Sequence, residues 1–128
     1  MRLLLDTHAL LWWLEGHDAL SKAAQAAIAE TGNEVFVSAA SVWEIATKVR
    51  LGKLPMDSTT LADFEAVLAS QEFRSLSVTL RHGLTAGTLP GPHRDPFDRM
   101  LIAQAMIEDL VLVSNEAPFD AYGVRRLW

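Results

Sequence analysis

The apolar residues of this chain fall into short unbroken runs, separated by segments with helical spacing. Arg2 to Leu5, Val35-Phe36-Val37 and Leu110-Val111-Leu112-Val113 are runs of strand length, and such continuous runs predict strands buried on both faces. Leu76-Ser77-Val78 predicts a further strand, and Val124 to Leu127 a last, short one. Between them lie helical patterns. The first runs from about Ala9 to Glu15, with Thr7 as its cap and Gly16 as its stop. Ser21 caps a second over Lys22 to Ile28, which ends near Thr31-Gly32-Asn33. Ser38 and Ser41 open a third that reaches about Leu51, where Gly52 ends it. Leu61, Phe64 and Leu68 predict one helix over Leu61 to Ala69. Leu80 to Gly87 is a short helix, and Pro96 sits at the first turn of one that continues to about Glu108. Leu89-Pro90-Gly91-Pro92-His93 is the clearest loop, two prolines flanking a glycine.

Strands alternating with helices predict an α/β fold around a mainly parallel sheet of four or five strands. The 128 residues fit one domain, 1–128, without internal repeats. In such sheets ligands bind beyond the carboxyl ends of the strands, near the point where the strand order reverses. Chemistry is therefore to be sought at those ends.

Composition narrows the classes. Half the residues are hydrophobic and 21% are charged, a globular balance; the formal charge is −5. No basic run is present, so nucleic acid cannot be held by phosphate neutralisation alone; a bound cation or a basic partner is needed. The chain has no cysteine, which excludes disulfides, thiolate zinc sites and thiol catalysis and is compatible with the cytoplasm. Asp6 interrupts the first apolar run before it could form a signal-peptide core. Ala9 to Leu14 is too short to cross a bilayer, so no membrane role is expected.

Four acids lie just past a strand or in the opening turns of a helix: Asp6, Glu44, Asp98 and Glu116. Each has a local explanation. Ser41-Val42-Trp43-Glu44 matches a capping box, and Asp95-Pro96-Phe97-Asp98 resembles one with Asp95 as the cap. Asp6 is less easily explained, because Thr7 is available as a cap. In a parallel sheet all four positions face one edge. Two carboxylates about 4 Å apart repel by roughly 4 kcal/mol at an effective dielectric near 20. A fold that gathers several must protonate some or bind a cation, and an all-oxygen set suits Mg²⁺ or Mn²⁺. Such an ion also lets an acidic protein engage a phosphodiester.

Leu4-Leu5-Asp6-Thr7-His8-Ala9-Leu10, Ser38-Ala39-Ala40-Ser41-Val42-Trp43-Glu44-Ile45 and His93-Arg94-Asp95-Pro96-Phe97-Asp98-Arg99 resemble the signature of PIN-domain ribonucleases, the VapC-type toxins of toxin–antitoxin pairs. Leu101-Ile102-Ala103-Gln104-Ala105 and Phe119-Asp120-Ala121-Tyr122-Gly123-Val124 extend the resemblance, in order, over nearly the whole chain. The resemblance implies a three-layer α/β/α fold, a homodimer and Mg²⁺-dependent endonucleolytic cleavage of RNA. Asp6, Glu44 and Asp98 match the family's catalytic, metal-binding acids. The fourth acid is normally an aspartate in a Val-Thr-x-Asp pattern, whereas this chain has Val113-Ser114-Asn115-Glu116. The extra methylene moves the Glu116 carboxylate by roughly 1.5 Å, which puts its part as a ligand in question.

Thr7 and Ser114 are candidates for hydrogen bonds to substrate, set against helix capping and strand packing. Arg94 and Arg99 are candidate phosphate contacts, with the bracing of a core carboxylate as the other reading for Arg99. Trp12, Trp13 and Trp43 read as core. Ala9 to Leu14 is apolar all round a short helix, so one side is expected to stay open. The resemblance supplies its cover, an antitoxin segment. His8, His17, His82 and His93 have no metal-ligand spacing. An aspartyl-nucleophile phosphatase wants a second acid where His8 stands, and a phosphorylated receiver domain wants a lysine after a late strand, where there is none. The remaining alternative is a scaffold of the same fold that binds RNA or a protein without cutting.

Overall fold

A computed structural model describes all of residues 1–128. Five strands, β1 (Arg2–Leu5), β2 (Glu34–Ser38), β3 (Arg74–Leu76), β4 (Val111–Val113) and β5 (Arg126–Leu127), form one sheet in the order β3-β2-β1-β4-β5. Every pairing is parallel. The chain lays strands outward from β1 to β2 to β3 and then returns to the other side of β1 for β4 and β5. The order therefore reverses between β1 and β4, where a crevice opens at the carboxyl ends.

Alternation along the strands splits the core into two layers. Leu3, Leu5, Val35, Val37, Val111 and Val113 face one side, with α1 (Thr7–Glu15), α2 (Lys22–Ala29) and part of α3 (Ala39–Arg50) packed over them. Leu4, Phe36 and Leu112 face the other, under Leu101, Ile102 and Ala105 of α7 (Pro96–Glu108). Helices on both faces make the three layers that the resemblance implied. Short helices α4 (Ser58–Ala62), α5 (Phe64–Ser70) and α6 (Leu80–Thr88) complete the order, with a 3₁₀ turn over Ala117–Tyr122.

Several local expectations are corrected. Asp6, not Thr7, caps α1: its carboxylate accepts from the Ala9 N–H at 2.8 Å. Ser38 caps α3 by accepting from Ala40, so Ser41 and Glu44 form no capping box. The segment read as one helix over 61–69 is two, broken at Asp63. The third strand is Arg74–Leu76 rather than 76–78, since pairing with Phe36–Ser38 sets its register and Val78 is left outside the sheet. Trp43 is 67% exposed and not core. Trp12, Trp13 and Leu14 pack against the larger core layer, so the main exposed apolar side chains are Trp43, Leu80 and Leu84, not those of α1.

Candidate active site

Asp6, Glu44, Asp98 and Glu116, the four acids singled out in the sequence, line one cavity of about 160 Å³ with no apolar residue in its wall. Asp95 adds a fifth carboxylate, and Thr7, His8 and Lys48 complete the lining. The fold explains the convergence. Asp6 follows β1 directly, and Glu116 follows β4 through Ser114-Asn115, so both flank the crevice at the strand reversal. Glu44 comes in on α3 after β2, and Asp98 on the first turn of α7.

Asp6, Glu44, Asp95 and Asp98 each have a named partner. Glu44, buried on the second turn of α3, accepts a hydrogen bond from the Thr7 hydroxyl at Oε1 (2.6 Å) and pairs with the Lys48 ammonium at Oε2 (2.7 Å). The Thr7 hydroxyl also lies 3.2 Å from Ser41 Oγ. This ties α1 to α3 across the mouth of the sheet. Asp98 takes the imidazole of His93 at 2.8 Å. Asp95 caps α7 through the N–H groups of Phe97 and Asp98, as the sequence predicted.

Burial raises the Asp6 carboxyl above its ordinary range; hydrogen bonds from Ser114 and Ala9 and the charge of His8 oppose it, while Asp98 adds to the rise. Burial also raises Asp98, against the hydrogen bond from His93, with Asp95 and Glu44 adding like charge. The acids therefore sense one another. An all-oxygen donor set in a polar cavity fits a hard divalent ion. The ring is open rather than clenched: no three carboxylates or imidazoles are grouped closely enough to form a finished cage. Lys48 pairs with Glu44, and His93 with Asp98.

The remaining candidates divide. Ser114 is fully buried beside Asp6, where its hydroxyl also accepts from the Glu116 N–H at 3.0 Å. Arg94 is exposed and lies outside the cavity wall. Arg99 braces neither phosphate nor a carboxylate: its guanidinium donates to the carbonyls of Ala86, Leu89 and His93. Together with Tyr122, whose hydroxyl accepts from the His93 N–H at 2.9 Å, it clamps the Pro-Gly-Pro loop. Gly91 is required there, because φ is +127° and an added Cβ would lie 2.5 Å from the Tyr122 hydroxyl. His93, Lys48, Asp95 and His8 were not singled out for the site. Lys48 has a signal in its i,i+4 spacing from Glu44, and His8, His93 and Asp95 lie within the blocks that carry the family resemblance.

The sheet is all-parallel, and acids gather at the point where its order reverses. The family model of the PIN domain matches residues 3–124, and the chain belongs to this family. Within it, the chain is 30% identical over 114 residues to Ribonuclease VapC22 of Mycobacterium tuberculosis (strain ATCC 25618 / H37Rv), covering 88% of this chain and 85% of that protein. Among solved structures, VapBC2 from Rickettsia felis, bound to a DNA fragment from its promoter, matches with a TM-score of 0.71 at 13% identity, over 98% of this chain and 97% of its own. VapC20 of Mycobacterium tuberculosis, described as a Sarcin-Ricin loop cleaving toxin, matches with a TM-score of 0.68 at 16% identity, over 95% of each chain. Likeness at these identities shows the fold. No helix is long and apolar enough to cross a membrane.

Proposed function

We propose that this chain is a divalent-metal-dependent endoribonuclease, acting as the toxin of a toxin–antitoxin pair. The observation that carries the reading is the convergence of Asp6, Glu44, Asp98 and Glu116 on one wholly polar cavity at the strand reversal. Membership of the PIN family and the kinship with a VapC ribonuclease support the reaction class.

Asp6 and Asp98 would hold Mg²⁺ or Mn²⁺, with Glu44 beside them and Glu116 at longer reach. When bound, such an ion activates water and neutralises charge developing on a phosphodiester. The chain's own groups set the stage. The cap on Ala9 fixes Asp6, Thr7 fixes Glu44, and the Arg99 and Tyr122 clamp presents His93 to Asp98. Glu44 offers a carboxylate to orient water or accept its proton. Net hydrolysis breaks the P–O3′ bond and leaves a 5′-phosphate and a 3′-hydroxyl.

The test is cleavage of RNA with Mg²⁺ or Mn²⁺ against EDTA, with Asp6→Asn as control. Cutting is expected only with metal and only by the parent. Cutting in EDTA, or by Asp6→Asn, overturns the metal mechanism. The open carboxylate ring favours one rival, a PIN scaffold that binds RNA or protein without cleaving it. RNA binding with no cutting in either metal would establish the rival.

An antitoxin is the expected protein partner, and toxin–antitoxin complexes of this fold support it. A homodimer is expected too; light scattering of the purified chain tests it. An apolar groove of about 360 Å³, lined by Trp43, Val78, Phe97 and Met100, supports a chain that works in an assembly. We place the protein in the cytoplasm, in keeping with its lack of cysteine.

A further inference from the structure

Besides its five acids, the cavity wall carries a single ammonium, that of Lys48. Of the chain's ten other lysines and arginines, five are engaged elsewhere. Arg74, Arg125 and Arg126 pair with Glu34, Asp109 and Asp120, Arg2 donates to the Glu108 carbonyl, and Arg99 braces the loop. Arg94 is exposed and outside the wall. An RNA phosphate approaching this site therefore meets Asp6, Glu44, Asp95, Asp98 and Glu116 with one lysine set among them.

Lys48 is not needed to place Glu44. The other carboxylate oxygen is already held by Thr7 at 2.6 Å, and Glu44 itself is buried on α3. Lys48 is itself half-exposed, so solvent screens its end of the i,i+4 pair. The ammonium has three N–H donors, and Glu44 Oε2 is its only partner. The side chain is 40% exposed at the cavity. Two donors thus remain free beside the acids.

We propose that Lys48 is a substrate-binding residue that takes a backbone phosphate of the RNA while its remaining donor keeps to Glu44. The proposal rests on the ribonuclease reading above. It explains how so acidic a cavity admits a polyanion, since an ammonium paired with one carboxylate still offers donors to a phosphate oxygen.

The test is binding of a labelled single-stranded oligoribonucleotide to Lys48→Met and Lys48→Arg, by fluorescence anisotropy in EDTA across a salt series. One phosphate contact on a single strand contributes about 0.7 to the slope of log K against log salt, hence roughly fivefold in affinity at 0.1 M salt. Lys48→Met should lose about that factor and that slope, whereas Lys48→Arg should keep both. Thermal melts of both variants should stay near the parent, and metal-dependent cleavage by Lys48→Met should show a raised KM. Parent-like affinity and slope in Lys48→Met, or tighter binding once the lysine is gone, overturns the proposal. Parent protein that binds RNA but cuts none in either metal refutes the ribonuclease reading instead, leaving the binding test to decide on Lys48.

Discussion

Asp6 holds two positions in this protein at once, and two substitutions separate them. Its carboxylate caps α1 at 2.8 Å from the Ala9 N–H, and it also faces the acid cavity. Asn and Asp cap helices about equally well, whereas Ala removes the cap at about 1 kcal/mol. With an unfolding entropy of roughly 2.1 cal/mol/K per residue, a chain of 128 residues moves its Tm by about 4 °C per kcal/mol. Asp6→Ala should therefore melt about 4 °C below Asp6→Asn at any pH.

The comparison with the parent carries the electrostatics. Burial raises the folded-state pKa of Asp6, so its protonated form favours folding. That contribution is complete below the unfolded aspartate value near 3.9 and is lost as pH rises through the raised folded value. In metal-free buffer, Asp6→Asn should gain stability relative to the parent as pH climbs from about 4 towards neutrality. The assay is urea unfolding in EDTA at several pH values, and added Mg²⁺ should then stabilise the parent but not Asp6→Asn. An Asn variant as unstable as the Ala variant, or an Asn–parent difference flat with pH, refutes the reasoning.

Other tests address single contacts. Thr7→Val leaves Glu44 Oε1 without its hydroxyl donor in a buried place, and should destabilise by about 1–3 kcal/mol in urea unfolding. Gly91→Ala meets both a positive φ and the Tyr122 ring, and should cost about 1–3 kcal/mol, seen as a lower Tm. Arg99→Met removes the guanidinium from three loop carbonyls; limited proteolysis should then cut within 89–93 faster than in the parent. Glu116→Gln should lower RNA cleavage less than Asp98→Asn does, which a side-by-side rate measurement decides.

What could be read without coordinates was whatever local pattern encodes. The continuous apolar runs at Leu3–Leu5, Val35–Val37 and Leu110–Val113 mark strands because both their faces are buried. Period-two geometry and the parallel order then carry Asp6 and Glu116 to one edge, so the acid ring could be anticipated. Tertiary structure alone decided the contacts between elements far apart in the chain. Thr7 is a plausible cap in sequence, yet in the fold Glu44 from α3 reaches its hydroxyl, and Asp6 takes the cap instead. Trp43 looks like core by composition, but it is left largely exposed on α3, with its ring edge-on to Phe97 of α7. Arg99 and His93 owe their partners to a loop whose course is set by Tyr122, some thirty residues on, and Lys48 faces the cavity because α3 does. Local pattern fixes which faces are apolar; which polar groups meet depends on how those faces pack, because a hydrogen bond needs its partner within about 3 Å.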